Sequence, residues 1–426
     1  MRSVDAHALL TAADTGLPAL PLLLDAVALA ERIAAPVSRS YLRYKPGTSA
    51  IALVDVDGRP AIASAWSPGN GDKRAKALKH LDPDDVLLDA PTEGLLIVDA
   101  LTDRKLPALR HLVRTGHVGP WLTRSGYPIA AATTPVTLAH KPARRWVGRL
   151  PTEQPGQQIV LRAYTDRGHD SAVAAHGLID PAACASVRLP RVVGKHHRGL
   201  IALEHLPGHT LDTRVPAAAL RRLGACLGEL HAGGQVAVGS GVDQSSLDPN
   251  GADRSSAANH AHPATPGGLD VLAPVLGETV LQARQVDAAA RAALRPGPGS
   301  VIHGDFSLDQ VVADGHSLGI IDLDRVRVGN PLDDIASLLA AAALTGLSAG
   351  GATGAAALIA RLRTPFVTGH SSTWTADLSD DLGPRTALAL LARSGEPFRA
   401  GRDDWPQATH ELVSLAGSLV TGRATA

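Results

Sequence analysis

The strongest constraint on the fold is an internal repeat. Tyr41 to Trp66 reads YLRYKPGTSAIALVDVDGRPAIASAW, and Thr137 to Tyr164 reads TLAHKPARRWVGRLPTEQPGQQIVLRAY. Lys45-Pro46 matches Lys141-Pro142, and Ala65-Trp66 matches Ala163-Tyr164. Each stretch alternates apolar and polar residues around a turn, DGRP in one and EQPGQQ in the other, which predicts a β-hairpin. The echo continues downstream. GLLIVDALTDRKL (Gly94 to Leu106) lines up with GLIALEHLPGHTL (Gly199 to Leu211), each an apolar strand ending in an acid, Asp99 or Glu204, before a polar loop. Collinear matches at nearly equal offsets predict two copies of one small sheet-plus-helix unit in the front half.

Behind the repeat the pattern turns helical. Ala217 to Gly234 has apolar residues at helical spacing and stops at Gly233-Gly234; a second helix is expected from Leu269 to about Leu294. Between them, Ser240 to Gly268 is rich in Ser, Asp, Asn, Ala, Pro and Gly and reads as a mobile loop. After Pro331 the chain is mostly helical, with breaks near Gly350 and Ser371. At the N-terminus, Leu17 to Ala30 is apolar but too short to span a bilayer, contains Asp25 and lacks a basic flank, so it reads as an amphipathic helix. With no membrane span expected elsewhere, a cytoplasmic location follows by default.

Acids and bases balance at 41 each, so no global field draws the chain to nucleic acid or anionic membrane. Aromatics at 3% argue against base-stacking platforms. Cys184 and Cys226 stand alone, as reduced structural thiols would. The pairs His196-His197 and His260/His262 lack acid or Cys partners at ligand spacing and read as solvated loop histidines.

The chemistry-bearing stretch is IHGDFSLDQVVADGHSLGIIDLDRV, Ile302 to Val326. VIH is extended, Gly304 permits a sharp turn, FSLDQ makes a loop, and VVA and LGIID form a hairpin around DGHS. Such a hairpin brings Asp305, Gln310 and Asp322 to one edge of a cleft. One carboxylate can then orient an incoming hydroxyl and take its proton, while the other holds a divalent ion on phosphates, the division of labour that phosphoryl transfer needs. His303 reads as a structural hydrogen-bonder behind this loop.

These residues resemble the aminoglycoside phosphotransferase/choline kinase family. HGDFSLDQ is similar to its HGDxxxxN catalytic loop, IIDLDR to its metal motif, and GNPLDDIA (Gly329 to Ala336) to the segment that follows. The resemblance implies an α+β, bilobal protein-kinase-like fold, with an antiparallel-sheet N-lobe and a mostly helical C-lobe, preceded here by a duplicated N-lobe-like cap. The units would be a cap at 1–125, a nucleotide-binding lobe at 126–206 and a helical lobe at 207–426. It also implies Asp305 as catalytic base, Asp322 and Gln310 as Mg²⁺ ligands, and Asp334 as a brace for the catalytic loop. Arg162 would stand where the family keeps a phosphate-gripping lysine, and LEHLPG, with Glu204 and Leu206, would be the strand that meets adenine. The turn Glu153 to Gln158 would cover the phosphates. ATP and Mg²⁺ are the implied cofactors, and a hydroxyl of a small polar molecule (an aminoglycoside, a sugar or aminosugar, an amino alcohol) the implied acceptor, with Asp333, Asp377, Asp380 and Asp381 as acids for a cationic one.

Three departures stand out. Gln310 replaces Asn, Arg162 replaces Lys, and the helix after Arg162 offers only Asp166 and Asp170 where the family has a glutamate. They leave a second reading open: a pseudokinase-like regulatory protein that binds nucleotide with little or no turnover. Oligomeric state has no signal in the sequence.

Overall fold

Proline, glycine and aspartate punctuate the first thirty-odd residues, and the backbone follows them. The computed structural model describes residues 3–422 apart from 70, 115, 131–132, 182–183, 234–265, 296, 298, 316 and 375–380. Helix α1 (Ser3–Ala13) is followed by α2 (Leu20–Leu24) and α3 (Ala26–Ile33). The single N-terminal helix expected over Leu17–Ala30 is therefore two. Asp25 divides them, because its carboxylate accepts the amides of Val27 and Ala28 and so caps α3 instead of continuing α2.

The first sheet comprises β1 (Val37–Lys45), β2 (Ser49–Val56), β3 (Arg59–Trp66), β4 (Val86–Ala90) and β5 (Leu95–Asp99), with α4 (Gly71–Leu78) between β3 and β4. A π-helical turn, Leu109–Arg114, and α5 (Val118–Arg124) lead to the second sheet. Its strands are β6 (Val136–Lys141), β7 (Arg145–Pro151), β8 (Gln158–Tyr164), β9 (Val192–His196) and β10 (Leu200–Glu204), with α6 (Asp166–His176) between β8 and β9. The sheets have the orders β1-β2-β3-β5-β4 and β6-β7-β8-β10-β9. Their registers correspond: Ser49 faces Trp66 as Arg145 faces Tyr164, and Ala65 faces Leu95 as Ala163 faces Leu200. Gly94 and Gly199 both have positive φ, and a Cβ at either would run into the carbonyl oxygen of Trp66 or Tyr164.

Alternation sorts the second sheet's faces. Ile159, Leu161 and Ala163 of β8 join Trp146 and Leu150 on the outer face, packed against Leu106, Leu109, Leu112, Trp121 and Leu122. The segment 106–122 thus belongs with the second sheet, and a boundary at 125/126 would separate that sheet from its own core. The inner face carries Val160, Arg162 and Tyr164 toward the helical half of the molecule.

That half begins with β11 (His209–Thr210) and α7 (Ala217–Gly233) and continues after the undescribed stretch with α8 (Ala273–Ala293). The loop expected at 240–268 lies almost wholly outside the described residues, as do His260, His262, Asp377 and Asp380. β12 (Ser300–Ile302), β13 (Val311–Asp314), β14 (Ser317–Ile320) and β15 (Arg327–Gly329) carry the HGD segment, with β13–β14 forming the hairpin read from sequence and β12 pairing with β15. The chain ends in α9 (Leu332–His370), α10 (Leu382–Arg393), α11 (Glu396–Arg399) and α12 (Trp405–Val420).

By length and composition α9 could cross a membrane, yet half of its most apolar stretch is buried inside the protein. It is also not straight. Gly350 and Gly351 leave helical geometry, and the two arms fold back with Gly346 and Gly354 touching backbone to backbone. On the second arm, Gly369 meets the Arg221 carbonyl while Gly224 and Gly228 of α7 meet the carbonyls of Phe366 and His370, so small residues let the two helices lie close. The first sheet's core is continuous with this half: α1 packs on α8 and α12, α11 touches β1, and His7 stacks on Trp405.

Candidate active site

The HGD turn is held from behind. A Cβ at Gly304, where φ is +83°, would collide with the Arg325 carbonyl, so only glycine turns the chain here. Asp334, at the start of α9 and wholly buried, accepts the amides of His303 and Gly304, each at 2.7 Å, and Nε2–H of His231 at 3.0 Å. Burial pushes the Asp334 carboxyl up, but the hydrogen bond from His231 and the loop amides outweigh it and hold it below the usual carboxylate range. His231 in turn accepts at Nδ1 from His370 Nε2, 2.9 Å away. His303, also buried, donates Nε2–H to the Ile321 carbonyl at 2.9 Å, the residue before Asp322.

Asp305 lies at the front of this loop, ion-paired to Arg393 at 2.7 Å and Arg325 at 3.2 Å. Arg325 lies three positions beyond Asp322, so the two aspartates share one neighbourhood. The charges of both also act on Lys141, whose ammonium is pushed down by desolvation and by arginines 145 and 325 and back up by Asp305 and Asp322.

Asp322 sits in left-handed backbone, φ +65°, which aspartate tolerates better than most residues. Arg145 binds it with both terminal nitrogens, at 2.7 and 3.2 Å, and Arg162 reaches the same carboxylate at 2.6 Å. Asp324 joins this cluster through Arg145 at 2.6 Å, Arg162 at 2.8 Å and the Tyr164 hydroxyl at 2.8 Å, with His176 of α6 at 3.5 Å. Burial raises both carboxyls, but the guanidiniums hold Asp322 and Asp324 well below the ordinary range. The helix after Arg162 therefore presents a histidine, His176, and the carboxylates facing Arg162 come from Asp322 and Asp324 instead. Asp166 and Asp170 take no part in this cluster.

Gln310 fits a cation in one respect. Among the described residues its buried Oε1 has no hydrogen-bond partner, while its backbone carbonyl accepts Ile321 N–H at 2.9 Å beside Asp322. A buried acceptor without a donor is rare, and an oxygen next to a carboxylate suits a hard divalent ion. Among the described residues no group of three His, Cys, Asp or Glu forms a further metal cluster.

The remaining expected residues are placed differently. Glu204 pairs with Ile159, three ladder positions from the Ile201–Arg162 pair, hence about 10 Å from the arginine cluster. Its carboxylate binds Arg191 at 3.0 Å and its amide the Arg191 carbonyl at 2.9 Å, so it offers nothing to the aspartates. Leu206 is buried against Gly319. The turn after Pro151 was expected over the phosphates. It lies at the far end of the β7–β8 ladder from the Arg145–Tyr164 pair, about 20 Å away. The β6–β7 turn, Lys141 to Arg145, is the one beside the aspartates. Asp333 and Asp381 both face Arg385, at 2.6 and 3.8 Å, and Asp381 also accepts the Arg295 amide.

Sequence reasoning missed Arg145, Asp324 and His176. The signal for Arg145 was present in the repeat: Arg145 and Arg162 occupy the positions of Ser49 and Ser64, so the arginines distinguish the second copy from the first.

A microcompartment-associated aminopropanol kinase is 15% identical, with 73% of this chain and 98% of that one covered and a TM-score of 0.50, which speaks for the fold. Amicoumacin kinase, solved with AMP-PNP, Ca²⁺ and Ami, is 14% identical over 68% of this chain and 88% of that one, TM-score 0.47. Choline kinase from Cryptosporidium parvum is 8% identical over 72% and 96%, TM-score 0.47. One curated protein, dynein axonemal assembly factor 8 of Bos taurus, is 32% identical over 100 residues; the match takes in 22% of this chain and spans about a quarter of that protein's length. A family model described as the phosphotransferase enzyme family matches residues 135–367, from the first strand of the second sheet to the second arm of α9. That match covers more than half of the chain and takes in Arg145, Arg162, Asp305 and Asp322: the protein belongs to the phosphotransferase enzyme family.

Proposed function

We propose that this protein transfers the γ-phosphoryl group of ATP to a hydroxyl of a small polar molecule. The observation that carries the reading is the tie between the two aspartate-bearing segments, His303 Nε2–H on the carbonyl of Ile321 beside Asp322, with the HGD turn locked by Asp334. In this role the Asp305 carboxylate orients the acceptor hydroxyl and takes its proton. Asp322 and the Gln310 amide oxygen hold Mg²⁺, which when bound neutralises charge on the triphosphate. Arg145 and Arg162 exchange their carboxylate partners for phosphate oxygens, for which a planar guanidinium is well shaped. The β8–β10 end near Glu204 and Leu206 receives the adenine. A panel of sugars, aminosugars, amino alcohols and aminoglycosides, followed by acceptor-dependent ADP release, tests this. Turnover with one acceptor, lost in Asp305→Asn and Asp322→Ala, is the expected result. Nucleotide binding with no acceptor ever consuming ATP defeats it.

One observation favours the alternative of a regulatory nucleotide-binding protein. Both oxygens of Asp322 are engaged by arginines, which supply the positive charge that a metal would. That reading expects equal ADP affinity in excess EDTA and in millimolar Mg²⁺, whereas the enzyme reading expects Mg²⁺ to tighten binding.

A further inference from the structure

The β6–β7 turn carries Lys141 and Arg145 to the aspartates, yet by itself it is a short exposed hairpin end. Its conformation is set from outside the sheet. Asp103 Oδ2 accepts the Ala143 amide at 2.7 Å and lies 3.3 Å from His140 Nε2, while Oδ1 accepts the Lys105 amide at 2.9 Å. Both Asp103 and His140 are buried. Ala143 has φ +58°, a left-handed conformation that alanine adopts at a cost, so something must hold it there.

The first sheet repeats the device. Asp14 Oδ2 accepts the Gly47 amide at 2.7 Å and the Tyr44 hydroxyl at 2.8 Å, and Gly47 has φ +63°. Tyr44-Lys45-Pro46-Gly47 and His140-Lys141-Pro142-Ala143 thus present the same two positions to the same kind of oxygen. The acids come from matching segments as well: DTGLPAL (Asp14 to Leu20) and DRKLPAL (Asp103 to Leu109). In both, the two leucines and the alanine are buried. A seven-residue motif therefore anchors itself in the core and hands one carboxylate to the lysine-proline turn of the sheet that follows. Only in the second copy does that turn bear the arginine that meets Asp322.

We propose that Asp103 is a positioning residue that holds the Lys141–Arg145 turn in place to receive nucleotide phosphates. The inference rests on the nucleotide reading of the site, and the first copy supplies its control. Asp14→Ala removes an equivalent clamp on a sheet without the arginines. The test titrates ADP into wild type, Asp103→Ala, the shape-preserving Asp103→Asn and Asp14→Ala, and follows backbone hydrogen exchange over residues 139–146. The expected result is ADP binding weakened about tenfold or more in Asp103→Ala, less in Asp103→Asn, and unchanged within about twofold in Asp14→Ala, although both alanine variants lower the unfolding midpoint. Exchange across the turn should quicken in the Asp103 variants alone. Wild-type affinity in Asp103→Ala overturns the inference, as does equal weakening in Asp14→Ala, which would make the effect one of general stability. If Asp103→Ala does not fold, Asp103→Asn decides by the same two readouts. A wild-type protein that takes no nucleotide defeats the reading of the site and the inference with it, and differs visibly from a failed clamp, in which wild type and variant bind alike.

Discussion

Acid should weaken this protein through one buried imidazole, and His370→Gln should remove that weakness. His370 has no exposed surface; its Nε2–H donates to His231, and among the described residues Nδ1 has no partner. Protonation would place a new N–H at Nδ1 with nothing to accept it. Burial, with the neighbouring His231, therefore pushes the pKa down to about 3. The unfolded chain takes this proton near pH 6.5. Between these values the unfolded state binds more protons than the folded one, so stability falls as the pH drops below about 6.5 and keeps falling until about 3. The slope approaches about 1.4 kcal/mol per pH unit, and from pH 7.5 to 5 the loss comes to about 2 kcal/mol. Glutamine can still donate to His231 but does not titrate. Urea unfolding followed by circular dichroism at pH 7.5, 6 and 5 gives the readout. Other histidines set a common background, so the measure is the difference between proteins: the variant should lose about 2 kcal/mol less than wild type over this range. Parallel pH profiles for the two proteins would refute the reasoning.

Asp305→Asn should lower turnover roughly 10²- to 10⁴-fold while ADP affinity by calorimetry stays near wild type. Arg145→Ala should weaken ADP and AMP-PNP binding while leaving Asp322 paired to Arg162, so unfolding by urea should shift little; an unaltered nucleotide affinity would exclude Arg145 from the phosphate site. Gly148→Ala places a methyl group into the Trp146 ring, and the second sheet should lose about 1–3 kcal/mol in the same unfolding assay. Deleting residues 1–125 removes Leu106, Leu109, Leu112, Trp121 and Leu122 from the face that buries Trp146 and Leu150, so that fragment should aggregate; a soluble, folded fragment would contradict the packing described above.

The HGD segment and its hairpin were legible because their constraints are local. Gly304 is needed at one positive φ, and β13 and β14 pair on either side of the short DGHS segment. The repeat was legible in its strands but not in its clamps, since DTGLPAL and DRKLPAL act on turns more than thirty residues downstream. The partner of Arg162 could not be found by searching the following helix, because the fold brings Asp324 to it from 162 positions away. The break of α9 falls near Gly350, where the sequence led one to expect it, but the fold-back that brings Gly346 against Gly354 has no counterpart in the residue pattern.

The front sheet has a mechanical consequence. Two bodies joined by a single strand crossing can swing about it, but a third body seated on both acts as a splint. Here α1 rests on α8 and α12, while Asp82 and Asp85 of the same unit reach Arg114 beneath the second sheet. Wide swinging of the second sheet away from the helices would have to break one of those seats. Entry and exit at this cleft are therefore left to small parts, chiefly a hairpin tip and two arginine side chains, and loosening the seat at α1 should change how fast ligands come and go more than how tightly they are held.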